Sequence, residues 1–343
     1  MPALTESELK LKIKSETAGA FLLCGDETFL VRHYADLLMK NAAQGPFAEF
    51  NLRVFDCEEP DLSEIYEAAV AVPMMAENKC VAVKNYPVSK AGAGDMKALE
   101  ELLADNPPDN RLIFFYPTAQ PKPSEIKTLT ELFGKYGFAV KLSKLTASEL
   151  VKTVERGAKK RGKSFEKSAA EYFVGNVGDD LNLLGNELEK LCAYSGEIIT
   201  RRDVDAVCVK SLEANAIFMV IDLAKGNFEK AFHTLSELFE LREDEYMILG
   251  AIIAQYAYIY RAKAAVTAGK SVGEIEVSYE SCKGREKRLS GAAAIARSMS
   301  FSQITACVEI LSQADIQMKS TQNDKRRILE ETFVKLARVK LND

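Results

Sequence analysis

Two hydrophobic rhythms divide this chain of 343 residues. Through residue 142, short apolar runs of strand length alternate with longer stretches whose apolar residues recur at helical spacing; beyond it only the helical spacing continues. The short runs are Ala20–Cys24, Phe50–Phe55, Lys79–Lys84, Arg111–Tyr116 and Phe138–Leu142, and the helical stretches between them are 28–42, 61–72, 93–104 and 124–136. Strands that take turns with helices are joined by crossovers, which place helices on both faces of a mostly parallel sheet. Residues 1–142 are therefore expected to form a doubly wound α/β domain.

From Ser143 onward no stretch reads as a convincing strand. Thr146-Ala147-Ser148-Glu149 has the form of a capping box and opens a helix to about Lys160. Ser164 is expected to cap the next helix, and Asp179 a third, whose Leu181, Leu184, Leu188 and Leu191 line one face. Thr200 and Asp203 repeat the capping-box pattern for a short fourth, so residues 143–210 predict a small helical domain. A second boundary falls at Lys210–Asn215, after which residues 211–343 are expected to be entirely helical. The strongest element there is Asp244–Ala268, where Met247, Ile248, Ile252, Tyr256, Ile259 and Tyr260 make an apolar stripe that ends at Gly269. The stretches Ser300–Lys319 and Asp324–Leu341 add two more amphipathic helices. Long helices with such faces are built to pack, on themselves or on neighbouring subunits.

Charge and rare residues narrow the chemistry. A net charge of −5 argues against a chain that grips nucleic acid alone, because phosphate neutralisation needs a surplus of cations. The seven cysteines, at 24, 57, 80, 192, 208, 282 and 307, form no C-x-x-C pair and read as buried free thiols in a reducing compartment. With only His33 and His233, a histidine metal site or catalytic triad has too few members, and each histidine is expected on a helix flank. The N-terminus lacks an apolar leader segment and no window approaches a membrane span, which predicts a soluble cytoplasmic protein with no membrane partner.

The first βα turn, Cys24-Gly25-Asp26-Glu27-Thr28, stands where an α/β ATPase places its phosphate loop, yet it has one glycine and no lysine. Asp26 and Glu27 would put two carboxylates where phosphates must sit, so nucleotide is disfavoured there and no cofactor is expected. After the strand Arg111–Tyr116 come Pro117-Thr118-Ala119, with no acidic pair to organise magnesium. A literal G-x-x-x-x-G-K-[ST] match does occur at Gly157-Ala158-Lys159-Lys160-Arg161-Gly162-Lys163-Ser164, which leaves a phosphate-loop ATPase as the rival reading. That motif requires a buried strand immediately before it, and the residues before Gly157 are a capped amphipathic helix, so a basic turn between two helices is preferred.

Val72-Pro73-Met74-Met75 lies between a helix and the strand Lys79–Lys84. Pro73 ends the helix, and two adjacent methionines cannot both face inward from one regular element. Either they plug the gap between helix and sheet or at least one protrudes, and protruding thioethers suit a partner's apolar pocket. The basic clusters Arg285–Arg288 and Lys325–Arg327 read as solvated helix ends, with DNA or partner contact as the alternative; a helical scaffold binding DNA by itself conflicts with the acidic balance.

Several stretches together resemble one family. Asp179-Asp180-Leu181-Asn182-Leu183-Leu184-Gly185-Asn186-Glu187-Leu188-Glu189-Lys190-Leu191 is similar to the "DL..L.NELEKL" helix of the delta subunit of the bacterial DNA polymerase III clamp loader. Ile199–Val204, Ala216–Phe218, Ile248–Gln255 and Ala314–Lys319 follow in the family's order and spacing, so the resemblance covers nearly the whole chain. It implies an AAA+-like architecture: an α/β domain (1–142) without a working nucleotide site, a helical lid (143–210) and a helical collar (211–343) that joins a pentameric ring. It implies as partners the sliding clamp, which the family binds and opens, the gamma/tau and delta prime subunits through the collar, and primed DNA within the assembly. It also implies a non-catalytic role inside the polymerase holoenzyme, with ATP hydrolysed by sibling subunits. The family's apolar clamp-binding wedge corresponds by position to Met74 and Met75, flanked by Val72 and Pro73, where other members can carry a Leu-Phe or aromatic pair.

Overall fold

Strands β1 (Gly19–Cys24), β2 (Leu52–Asp56), β3 (Lys79–Lys84), β4 (Asn110–Phe115) and β5 (Gly137–Lys141) form one parallel sheet in the order β2-β3-β4-β1-β5. The computed structural model describes residues 4–15, 19–56, 62–118, 120–271, 274 and 286–341. They fall into two compact units, Met1–Lys144 and Leu145–Asp343.

In the first unit the central strands are covered on both sides, which is why β1, β3 and β4 read as near-continuous apolar runs. Successive side chains point to opposite faces. Leu22, Val81, Leu112 and Phe114 meet α3 (Leu62–Val70), α4 (Ala93–Ala104) and α5 (Pro123–Tyr136) through Ile65, Leu99, Leu129 and Phe133. Arg111, next to Leu112, points the other way, where α2 (Thr28–Ala42) packs on β1 and β4. Its guanidinium is fully buried, donates to the carbonyl of Leu38 at 3.1 Å and lies over the ring of Phe21, 5.5 Å from its centroid. A cation thus closes the end of α2 from inside the core.

The polar N-terminal segment folds as α1 (Glu6–Ser15), which the sequence reading omitted. Among its described side chains Leu9 is the one that is buried, so no apolar stripe advertises the helix. Thr5 and Glu8 cap it reciprocally, and the Leu4 amide donates to the Ala139 carbonyl at 2.7 Å, tying it to β5.

The second unit opens with α6 (Ala147–Lys160), whose Thr146–Glu149 capping box is formed as the sequence indicates. Ser164 does not cap a helix. It pairs instead within β6 (Ser164–Phe165) against β7 (Ile198–Ile199), two parallel strands too short to show alternation, and α7 (Ala169–Val177) begins after Ser168. Asp180, not Asp179, caps α8 (Leu181–Tyr194), its carboxylate accepting the amides of Asn182 and Leu183 at 2.8 and 3.1 Å. Neighbouring aspartates are equivalent as residue types, and the one immediately before the first helical residue, with extended backbone, reaches those amides. The Thr200–Asp203 box opens α9 (Arg201–Val207).

The remaining helices are α10 (Leu212–Lys225), α11 (Phe228–Glu240), α12 (Glu245–Thr267), α13 (Glu286–Ser298), α14 (Phe301–Ser320) and α15 (Lys325–Leu341). α12 is the hub, touching α10, α13, α14 and α15. Ile248, Ile252, Tyr256 and Ile259 are buried there, whereas Met247 and Tyr260 are exposed and leave the expected stripe. A helix apolar around most of its circumference gives periodicity no unique face to select.

Cys24, Cys80, Cys192 and Cys307 are buried free thiols and Cys208 is partly buried; Cys57 and Cys282 lie outside the described residues. Burial pushes the Cys24 thiol up to about 11 and that of Cys80 up to about 12, so both stay protonated and unreactive at neutral pH. Both histidines are exposed on helices.

Candidate functional site

Helix α3 ends where its carbonyls find a buried cation. The Lys79 ammonium, from the first residue of β3, donates to the Ala68 carbonyl at 2.8 Å and also to that of Ala71. Burial holds this lysine below its ordinary pKa, with Asp109 opposing the shift, and the helix terminus supplies the compensating dipole. Pro73 then keeps Val72 out of helical backbone, and the chain turns outward.

Val72 is 88% exposed, Met74 50% and Met75 78%. Pro73 is half-buried. Neither methionine belongs to the core that fills the space between helix and sheet, so the gap-plug alternative does not describe them. The segment is nonetheless fixed. Asn51 is buried, and its side chain takes the Met74 amide at 2.6 Å and gives an N–H to the Met74 carbonyl at 2.8 Å. The same amide nitrogen also donates to the Phe47 carbonyl at 3.0 Å. Met75 follows with φ 49°, a left-handed conformation that disfavours a side-chain-bearing residue by about 1–2 kcal/mol and persists because its neighbours are pinned. Phe50, on the short 3-10 turn Ala48–Asn51, is 70% exposed and adds a further apolar side chain beside the clamping asparagine. Asn51→Ala should speed hydrogen exchange at the Met74 amide and cost about 1–3 kcal/mol in chemical denaturation, because it orphans a donor and two acceptors. Unchanged exchange would show that the loop holds itself.

The first βα turn is closed by the protein's own groups. Gly25 has φ +133°, and a Cβ there would stand 2.1 Å from the Leu142 carbonyl oxygen, so only glycine fits. Its amide, which a phosphate loop would aim at an anion, donates to the Gln120 side-chain oxygen at 3.1 Å. The Glu27 amide donates to the Leu142 carbonyl at 3.1 Å, and the Leu142 amide to the Cys24 carbonyl at 2.8 Å. The Glu27 side chain is itself buried at this turn.

The Gly157–Ser164 match has the wrong local structure for phosphate. Gly157 to Lys160 are the last turn of α6, and a Cβ on Gly157 would press Leu188 at 2.7 Å, so this glycine serves helix packing. Gly162 takes the positive-φ turn. The Lys163 ammonium donates to the carbonyls of Ser195 and Gly196 at 2.9 and 3.1 Å, closing the end of α8. In the Lys325–Arg327 cluster, Arg326 and Arg327 pair with Glu330 and Glu331, each at 3.0 Å, and Lys325 caps α14 through the carbonyls of Met318 and Thr321. Arg285 and the side chains of Glu286, Lys287 and Arg288 lie outside the described residues.

Two family models match the chain: that of the DNA polymerase III delta subunit over residues 21–141, and that of its C-terminal domain over residues 213–336. The chain belongs to the DNA polymerase III delta-subunit family. Its work is accordingly in DNA replication, as a clamp-loader component. This delta-family chain is 27% identical over 326 residues to DNA polymerase III subunit delta of Bacillus subtilis, covering 92% of each protein. A probable delta subunit from Aquifex aeolicus is 24% identical over 245 residues, 69% of this chain and 68% of the relative. The solved clamp-loader delta protein of Bacillus subtilis superposes with a TM-score of 0.65 at 26% identity, covering 97% of this chain and 99% of that one. In this delta-family fold, the phosphate-loop position on the parallel sheet is the turn that Gln120 and Leu142 close.

Proposed function

We propose that this chain binds and opens the sliding clamp through the tip Val72-Pro73-Met74-Met75, with Met74 and Met75 as the anchors. The observation that carries the reading is the Asn51 clamp: an apolar, exposed pair held in one conformation is preorganised for a partner's pocket. Holding the loop in advance removes ordering entropy that binding would otherwise have to offset.

In this reading residues 1–142 form the clamp-binding domain, 143–210 the lid, and 211–343 the collar. The collar meets the gamma/tau and delta prime subunits, and the assembly receives primed DNA in the cytoplasm. The chain itself is non-catalytic and needs no cofactor, since its turn amides and Lys163 serve internal hydrogen bonds, and nucleotide chemistry belongs to the siblings. Among the described residues no group of acidic, cysteine or histidine side chains is placed to hold a metal, and no helix is long and apolar enough to cross a membrane.

Purified full-length chain mixed with the sliding clamp of the same organism should co-elute in size exclusion, and ATP should not raise the chain's own melting temperature. Separate elution at micromolar concentrations would remove the clamp reading. An ATP-dependent shift would restore a nucleotide site.

A further inference from the structure

Seven cations and two acids lie within residues 152–167 of a chain whose net charge is −5. Four of the cations, Lys152, Arg156, Lys159 and Lys160, are exposed and recur at i, i+4, i+7 and i+8, so they share one face of α6. The opposite face is buried through Leu150, Val154 and Ala158.

On other helices several exposed cations are paired with a carboxylate one turn away, as in Lys97–Glu101, Lys127–Glu131, Lys319–Asp315, Arg326–Glu330 and Arg327–Glu331. On α6 the four are not. Among the described residues none of the four has a carboxylate within ion-pair distance, and Glu149 is committed to the capping box. The Arg156 guanidinium reaches only the Lys152 carbonyl and the Thr153 hydroxyl, both at 3.2 Å. Like charges at this spacing repel by a few tenths of a kcal/mol per pair, a standing cost that an external anion would relieve.

We propose that this cationic ridge of α6 is a contact surface for the phosphate backbone of DNA. At a rise of 1.5 Å per residue the ridge runs about 12 Å, which spans roughly three to four phosphates along one strand. Within α6 the ridge interleaves no exposed apolar or aromatic side chain, so it lacks both the anchors of a protein hot spot and a platform for base stacking. It therefore reads charge and not sequence. The proposal rests on the reading that the chain works inside a loader handling primed DNA. It adds the place of contact, which explains how an acidic chain can touch DNA: four exposed cations without an ion-pair partner gather on one face of one helix.

The test uses the full-length chain assembled with its sibling subunits, carrying Lys152→Glu, Arg156→Glu, Lys159→Glu and Lys160→Glu together, and a fluorescent primed duplex titrated across a series of salt concentrations. Affinity at low salt should fall at least tenfold, and the slope of log affinity against log salt should flatten by about 3, from roughly 0.9 per lost phosphate contact. A companion variant with four glutamines should move both quantities in the same direction by less, and keeps the test decisive if the reversal variant fails to fold. Clamp binding, measured without DNA, should be unchanged, so failure of the tip reading would show separately. Unaltered affinity and slope would overturn the proposal and leave a solvated helix face. Loss of subunit assembly with an unaltered salt slope for the complexes that do form would also overturn it, by making the ridge a protein contact.

Discussion

Met74→Ala combined with Met75→Ala is expected to weaken binding to the sliding clamp about a thousandfold, taking each buried anchor of an interface as worth roughly 2 kcal/mol. The melting temperature should move by no more than a degree or two, because both side chains are largely exposed in the chain alone and contribute little to its core. The two readouts belong in one experiment. Undiminished clamp affinity would remove these residues from the interface. A large fall in melting temperature with affinity lost in proportion to unfolded chain would mean that the tip supports the domain and not the partner.

The second large effect comes from dividing the chain. Residues 1–144 alone should retain clamp binding within a few-fold of the full chain and should fail entirely to co-purify with the other loader subunits, because the tip and its Asn51 and Lys79 supports are all inside the first compact unit. The cut belongs at Lys144 and not at Lys210. Residues 145–343 form one compact unit in which the Ser211 amide donates to the Asn176 carbonyl at 2.9 Å and α10 packs on α7, so a chain ended at Lys210 would carry an exposed, half-built core. Stable incorporation of residues 1–144 into the loader would move the assembly surface to the first unit.

The α/β alternation was legible because both faces of the sheet are covered, which forces apolar runs onto the central strands and leaves helical periodicity between them. The strand order was not. It follows from which crossovers pack together, and no local pattern encodes that. Helix α1 escaped because one buried leucine makes no stripe, and β6 and β7 escaped because two residues make no alternation. At the tip, Pro73 and the paired methionines were readable as a helix end followed by side chains that could not all turn inward. Their supports were invisible: in sequence Asn51 and Lys79 are ordinary surface residue types, and only burial beside a chain reversal turns them into clamps. The burial of Arg111 was equally invisible, because a charge near the start of a strand is ordinarily a surface residue.

The hydrogen bond from Gly25 to Gln120 bears on timing. A switch needs a part whose shape depends on what occupies it, and in this fold the first βα turn is the place where a gained or lost phosphate would be sensed. Here a side chain of the protein occupies it, held in turn by the Tyr116 carbonyl. On the proposed reading this subunit keeps no clock of its own. It presents the same tip before and after each hydrolysis event, and the rhythm of grasp and release has to be imposed by neighbours that cover or uncover it.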